Sequence, residues 1–151
     1  MRAVRVIAIT GLIVGAMDIT SAFILAISRG STVTRLLQFV ASGLIGLNAF
    51  AGGTATAVLG LVLHFVIAFG LVAVFYAASR TFAFIPRHRV MSGLIYGLIV
   101  FGVMNLIVLP LSAAKPRHSP SGDLIQIAIH MFVIGLPTSL LTRRLSGATC
   151  S

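Results

Sequence analysis

Four polar side chains interrupt runs that are otherwise apolar: Asp18 in GLIVGAMD, His64 in LGLVLHF, Asn105 in MNLIVLPLS and His130 in HMFVIGLP. A carboxylate beside imidazoles can share a proton or fix one ring tautomer. Two histidines on separate helices are also the axial ligand set of a b-type haem. Met17, Met104 and Met131 directly adjoin three of the four residues, and thioethers beside imidazole suit a soft ion such as Cu(I). A plain hydrogen-bonded plug that holds helices in register needs the same residues and no activity. No Ser-His-Asp order, HExxH pair, phosphate-binding loop or paired carboxylates stand in the chain. No catalytic residue is therefore assigned, and the chemistry leans away from an enzyme.

The elements that must carry these residues are membrane spans. Of 151 residues, 58% are apolar and 9% charged, and the only acids are Asp18 and Asp123. That is too little charge to solvate a globular surface. Residues 6–28, 55–78, 90–112 and 124–141 are each near the roughly 20 residues that a bilayer requires. Residues 36–50 reach only about 22 Å as a helix, short of the roughly 30 Å hydrocarbon core. Arg35, Gln38 and Ser42 lie along one side of that segment, so it reads as interfacial or re-entrant. The sequence thus predicts an all-α integral membrane bundle over 1–151, one domain of four transmembrane helices. A short interfacial or re-entrant helix separates the first span from the second.

Charge placement orients the spans. With the N-terminus inside, Arg2, Arg5, Arg80, Arg87, Arg89, Arg143 and Arg144 fall on the cytoplasmic side. Arg29, Arg35, Lys115 and Arg117 fall outside, a bias in the direction of the positive-inside rule. Five spans would reverse it. Both termini are therefore expected in the cytoplasm, and the charged, apolar N-terminus reads as a retained first span rather than a cleaved leader. The net charge of +9 excludes little by itself. Its cations sit in small groups between apolar runs, however, not in a stripe with interleaved aromatics, which speaks against nucleic acid and for anionic lipid head groups as partners. Cys150 is the only cysteine, so no disulfide framework exists.

Alternating span direction then aligns the polar residues. Counted from the outer ends, Asp18, His64, Asn105 and His130 lie about ten, nine, seven and six residues deep, agreeing within about 6 Å. Isolated ionisable groups in hydrocarbon turn inward and find partners, so the expectation is a buried cluster of Asp18, His64, Asn105 and His130. His64 and His130 are the axial pair if haem b binds. Gly11 and Gly15, Gly60, and Gly93 and Gly97 form small-residue stripes suited to close helix contact, within the chain, in a homo-oligomer or in a larger membrane complex. Tyr76 and Tyr96, toward the inner ends, are expected as interfacial anchors. Ser121 or Asp123 is expected to cap the fourth span.

GLIVGAMD, LLQFVASGLIGLNAFAGG, LGLVLHF, MNLIVLPLS, and HMFVIGLP followed by a basic pair together resemble small four-span bacterial inner-membrane proteins of unassigned activity. A more distant likeness is to the YagU type, linked to acid resistance, although this chain lacks the long polar insertion of that type. The resemblance implies a bacterial inner (plasma) membrane location and little chemistry. The functional expectation is a binding module, or one that handles protons or a small solute. The alternatives are a haem b- or copper-binding subunit of a redox complex and a purely structural subunit.

Overall fold

The computed structural model describes residues 2–113 and 120–147. Lys115, Arg117, His118 and Cys150 lie outside the described residues. All described elements are helical: α1 (Arg2–Ser28), α2 (Val33–Ile45), a 3-10 segment (Gly46–Ala51), α3 (Gly53–Thr81), α4 (Phe84–Arg87), α5 (Arg89–Val103), α6 (Leu109–Leu111), α7 (Pro120–Ile129) and α8 (Leu136–Ser146). Two π-helical stretches, Met104–Val108 and His130–Gly135, join α5 to α6 and α7 to α8. Helix α7 begins at Pro120, with Ser121 and Asp123 in its first turn.

Among the described residues, five helices are long and apolar enough to cross a membrane: Arg2–Ser28, Val33–Ala51, Gly53–Thr81, Arg89–Leu111 and Gly122–Ser146. Their outward faces are apolar. On α3, Val58, Val62, Val66 and Val74 all lie more than half exposed, a stripe that only lipid or another apolar surface satisfies.

Interhelix contacts fix the directions. A Cβ on Gly11 would strike the Phe69 ring, one on Gly15 would meet Phe65 and Ala68, and Ile19 shares a buried cluster with Ala57. Rising numbers in α1 meet falling numbers in α3, so the two are antiparallel. Likewise Gly93 abuts Leu136 and Ser139, Gly97 abuts His130 and Met131, and the Ser139 hydroxyl donates to the Arg89 carbonyl at 2.7 Å. Helix α8 also packs on α1. The long helices therefore form an up-and-down bundle in which α1 and α5 run one way, and α3 and the α7–α8 pair the other.

Because α1 and α3 are antiparallel, the end of α1 and the start of α3 lie at the same end of the bundle. The segment between them starts and finishes there. Thr32 caps α2, its hydroxyl accepting from the Arg35 N–H at 3.2 Å. Gly46 stops the helix with φ 65 and ψ −153, backbone angles that favour glycine. The 3-10 segment then folds back. The Arg35 guanidinium sits 5.1 Å from the Phe50 ring centroid, whereas a continuous helix would separate the two residues by roughly 22 Å. Gln38 Nε2 donates to the Gly53 carbonyl at 3.1 Å, and the Thr56 hydroxyl donates to the Ala49 carbonyl at 2.6 Å. Leu37 and Ala41 rest against Gly60 so closely that a Cβ there would strike the Leu37 carbonyl. At its far end, Gly43 accepts from the Ala113 N–H at 3.3 Å. Helix α2 thus lies across one end of the bundle, from α1 and α3 to the end of α6.

Both π stretches precede a leucine–proline pair, Leu109–Pro110 and Leu136–Pro137. The N–H groups of Leu109 and Leu136 donate to Met104 and Met131, five residues back. Proline lacks an N–H and crowds the carbonyl four residues earlier, and a widened turn relieves that clash. The prolines thus account for π turns in the middle of two long apolar helices.

Candidate functional site

Asp18, His64 and His130 line one cavity of about 120 Å³ in the end of the bundle that α2 crosses. Helix α1 brings Asp18 one turn beyond Val14. Helix α3 brings His64 one turn beyond Gly60, the glycine that seats α2. His130 opens the second π stretch. Met104, which opens the first, faces the same cavity, and Val40 of α2 closes it from above. At roughly 10–15 Å³ per probe-sized position, the space holds several waters or one very small solute.

His64 Nε2 lies 2.9 Å from the Gly15 carbonyl oxygen. A carbonyl only accepts, so Nε2 carries a hydrogen and donates it. His64 Nδ1 is then the nitrogen on the Asp18 side, 4.0 Å from Oδ2. A bare Nδ1 facing an ionised carboxylate would set two acceptors against each other. The pair is therefore relieved by one further proton, held either as an Asp18 carboxylic acid or as a His64 imidazolium. The two states differ only in which of the two side chains holds that proton. The His64 and Asp18 side chains are 13% and 27% exposed, partly buried positions for groups that carry charge.

His130 is held differently. Its Nδ1 donates to the Gln126 carbonyl of its own helix at 2.8 Å, which leaves Nε2 to accept or bind. Its ring packs edge-on against Phe101 with centroids 5.6 Å apart.

Asn105 is not brought to this cavity. It lies inside the first π stretch, and its Nδ2 donates to the Phe101 carbonyl of its own helix at 2.9 Å. Tyr96 is no interfacial anchor either: its hydroxyl donates to the Leu71 carbonyl at 2.6 Å, and its ring meets Phe75 at 4.9 Å. It ties α5 to α3, since a tyrosine at an internal helix contact places its hydroxyl where a second lone pair of a helical carbonyl is free. Gly11, Gly15, Gly60, Gly93 and Gly97 each face a neighbouring helix. Gly135 completes the crossing with α5, where a Cβ would strike Gly93 and Gly97. The sequence reading passed over Gly135, although its place before Leu136–Pro137 was visible.

Two further features escaped the sequence. Val40 makes α2 part of the cavity wall. Beside it lies a second, apolar cavity of about 260 Å³ between α3, α5 and α2, which shares Val40, Ile67 and Met104 with the first. Toward the far end of the bundle the first cavity, whose wall is mostly apolar apart from Asp18, His64 and His130, meets Val72, Val100 and Ile134, which are 1%, 2% and 4% exposed, a closely packed apolar layer.

The donors do not fit a haem. His64 Nε2 is committed to Gly15, and a space of about 120 Å³ does not admit a macrocycle. Among the described residues no three His, Cys, Asp or Glu side chains form a metal-holding group. Of the methionines beside the polar residues, Met104 faces the cavity while Met17 lies 41% exposed and does not. Comparison with family models, curated proteins and solved structures gives no match.

Proposed function

We propose that this chain is a four-span membrane protein that binds and passes protons, with a very small solute or water, at Asp18, His64 and His130. The observation that carries the reading is their convergence on one cavity, with His64 pinned by Gly15 so that Nδ1 addresses Asp18. The His64 hydrogen bond fixes the ring, and water in the cavity bridges the 4.0 Å gap to the carboxylate. His130 Nε2 is the next acceptor. The layer of Val72, Val100 and Ile134 is the gate that must part for a proton to proceed. In this reading α2 is re-entrant on the outer side, both termini are cytoplasmic, and the membrane is a bacterial inner membrane. The return of α2 to the end at which it starts supports the topology, and the sequence resemblance supports the location.

Proton flux into proteoliposomes tests the reading. A pH-sensitive dye inside the vesicles should report acidification that protein-free vesicles lack. Asp18→Asn and His64→Ala should each reduce it by at least about tenfold, the effect expected for loss of a positioned proton carrier. Equal flux in wild type and in both inserted variants would leave the three residues a packing device and end the proposal.

A further inference from the structure

The polar groups of the first cavity are all acceptors. Each neutral imidazole has a single N–H, and both rings spend it on backbone: His64 Nε2 on the Gly15 carbonyl and His130 Nδ1 on the Gln126 carbonyl. His64 Nδ1 and His130 Nε2 are then bare nitrogens, and Asp18 adds a carboxylate. Among the described residues, no lysine or arginine lines the cavity. Its titratable groups are Asp18 from α1, His64 from α3 and His130 from the second π stretch, while α2 and α5 present the apolar Val40 and Val100. Three acceptors with one negative charge call for a partner that is all donor. A proton is the smallest such partner. A primary ammonium is the next, with one positive charge, three N–H donors and no acceptor. A carboxylate would instead set a second negative charge beside Asp18, and a hydroxyl brings one donor to three acceptors.

The second cavity supplies room for what such a head group is attached to. Its space of about 260 Å³ adjoins the first across the shared Val40, Ile67 and Met104. Met104 is unbranched and repacks readily, so a chain can pass beside it. Phe39, Leu63 and Val108 add to the wall, which is apolar apart from Ser112. A cavity of about 150 Å³ lined by aliphatic and aromatic side chains admits benzene. Scaled by volume, this one takes on the order of ten carbons. Leu44 lines it and is 64% exposed, so the space reaches the apolar outer surface of the bundle, from which a membrane-dissolved chain can enter. One end of the combined space thus accepts hydrogen bonds and a positive charge, and the other accepts hydrocarbon.

We infer that the two cavities together bind one primary alkylammonium, its head among Asp18, His64 Nδ1 and His130 Nε2 and its chain in the apolar cavity. The inference names the solute of the proposed function and rests on that reading's grouping of the three polar residues. The ammonium replaces the proton that Asp18 and His64 share: one alkylammonium enters, one proton leaves to water, and the charge of the site is unchanged. The test uses the full chain in maltoside detergent and weak buffer at neutral pH. Octylammonium, octyltrimethylammonium and octanoate are titrated by calorimetry against protein-free micelles, and a pH indicator counts released protons. One octylammonium should bind per chain, each releasing a proton, and octanoate should not bind. Octyltrimethylammonium keeps the charge and the chain but has no N–H, and should bind at least about tenfold more weakly, the worth of a hydrogen bond to a charged group. Asp18→Asn, which keeps the side chain's shape, should weaken octylammonium by a similar factor. Val108→Phe, whose larger ring fills the apolar cavity, should weaken it at least about fivefold by displacing buried CH2 groups. Equal binding of the primary and quaternary cations overturns the site, as does octylammonium bound without proton release or undiminished in Asp18→Asn or Val108→Phe. No bound octylammonium in a chain that still acidifies vesicles overturns this inference and leaves proton passage standing. Octylammonium bound with proton release by a chain that acidifies no vesicle upholds the site and removes proton passage.

Discussion

A histidine inside an apolar run acquires its meaning from the atoms its two nitrogens meet. His64 spends Nε2 on the Gly15 carbonyl and turns Nδ1 toward Asp18, whereas His130 spends Nδ1 on Gln126 and keeps Nε2. The two rings thus hold opposite tautomers when neutral. Nitrogen-15 spectra of labelled imidazoles should show hydrogen on Nε2 of His64 and on Nδ1 of His130. Asp18→Asn should change the His64 Nδ1 signal and leave the His130 tautomer intact, because only the first ring has the carboxylate at its free nitrogen. An unchanged His64 Nδ1 signal would break the proposed shared proton. His64→Ala should lower stability by about 1 kcal/mol, the net worth of one hydrogen bond, with the change read from the thermal midpoint.

Depth was legible at this scale and rotation was not. A helix rises uniformly, so counting residues from span ends brought Asp18, His64 and His130 to one level, and the structure sets them around one cavity. Asn105 has the same depth and the wrong direction. It lies in the π stretch Met104–Val108, where the turn holds an extra residue and shifts the phase by roughly 100° relative to an ideal helix. The cause, Pro110, was in the sequence, but it acts on residues before it.

At the scale of elements, glycines mark where helices touch, and those that face nothing give the contrast. A side chain at Gly97 would collide with the His130 carbonyl and Met131, while one at Gly70 would meet nothing within 4 Å. Gly97→Val should therefore cost about 1–3 kcal/mol or more through overpacking and lower the thermal midpoint. Gly70→Ala should instead raise stability by about 0.5–1 kcal/mol, because it removes chain entropy without a clash. Equal effects at the two positions would mean that α5 and the α7–α8 span do not cross at Gly97. The four long helices were readable from length and apolarity. The length of α2 was only partly so. The expected 36–50 became 33–45 with a 3-10 return over 46–51, because a threonine cap extends the start and Gly46, at positive φ, ends the α-helix.

For the whole molecule, the decisive question is whether the segment 33–51 crosses the membrane. Length and apolarity alone admit it as a fifth span, and an odd number of crossings would place the termini on opposite sides. The packing supports the proposal that it does not cross. Since α1 and α3 are antiparallel and touch from Gly11–Phe69 to Ile19–Ala57, residues 31 and 54 belong to the same end of the bundle. The return of Phe50 to Arg35 keeps the whole excursion there. Cysteine labelling in intact cells reads this directly. With Cys150→Ser as background, Ser31→Cys and Thr54→Cys should both react with a membrane-impermeant maleimide from the same face. Arg87→Cys, in α4 at the other end, should stay unlabelled until the membrane is permeabilised, because the charge bias proposes that face as the cytoplasmic one. Labelling of residues 31 and 54 from opposite faces would make α2 a true span. It would then part α1 from α3, and with them the cavity that their antiparallel pairing assembles around Asp18 and His64.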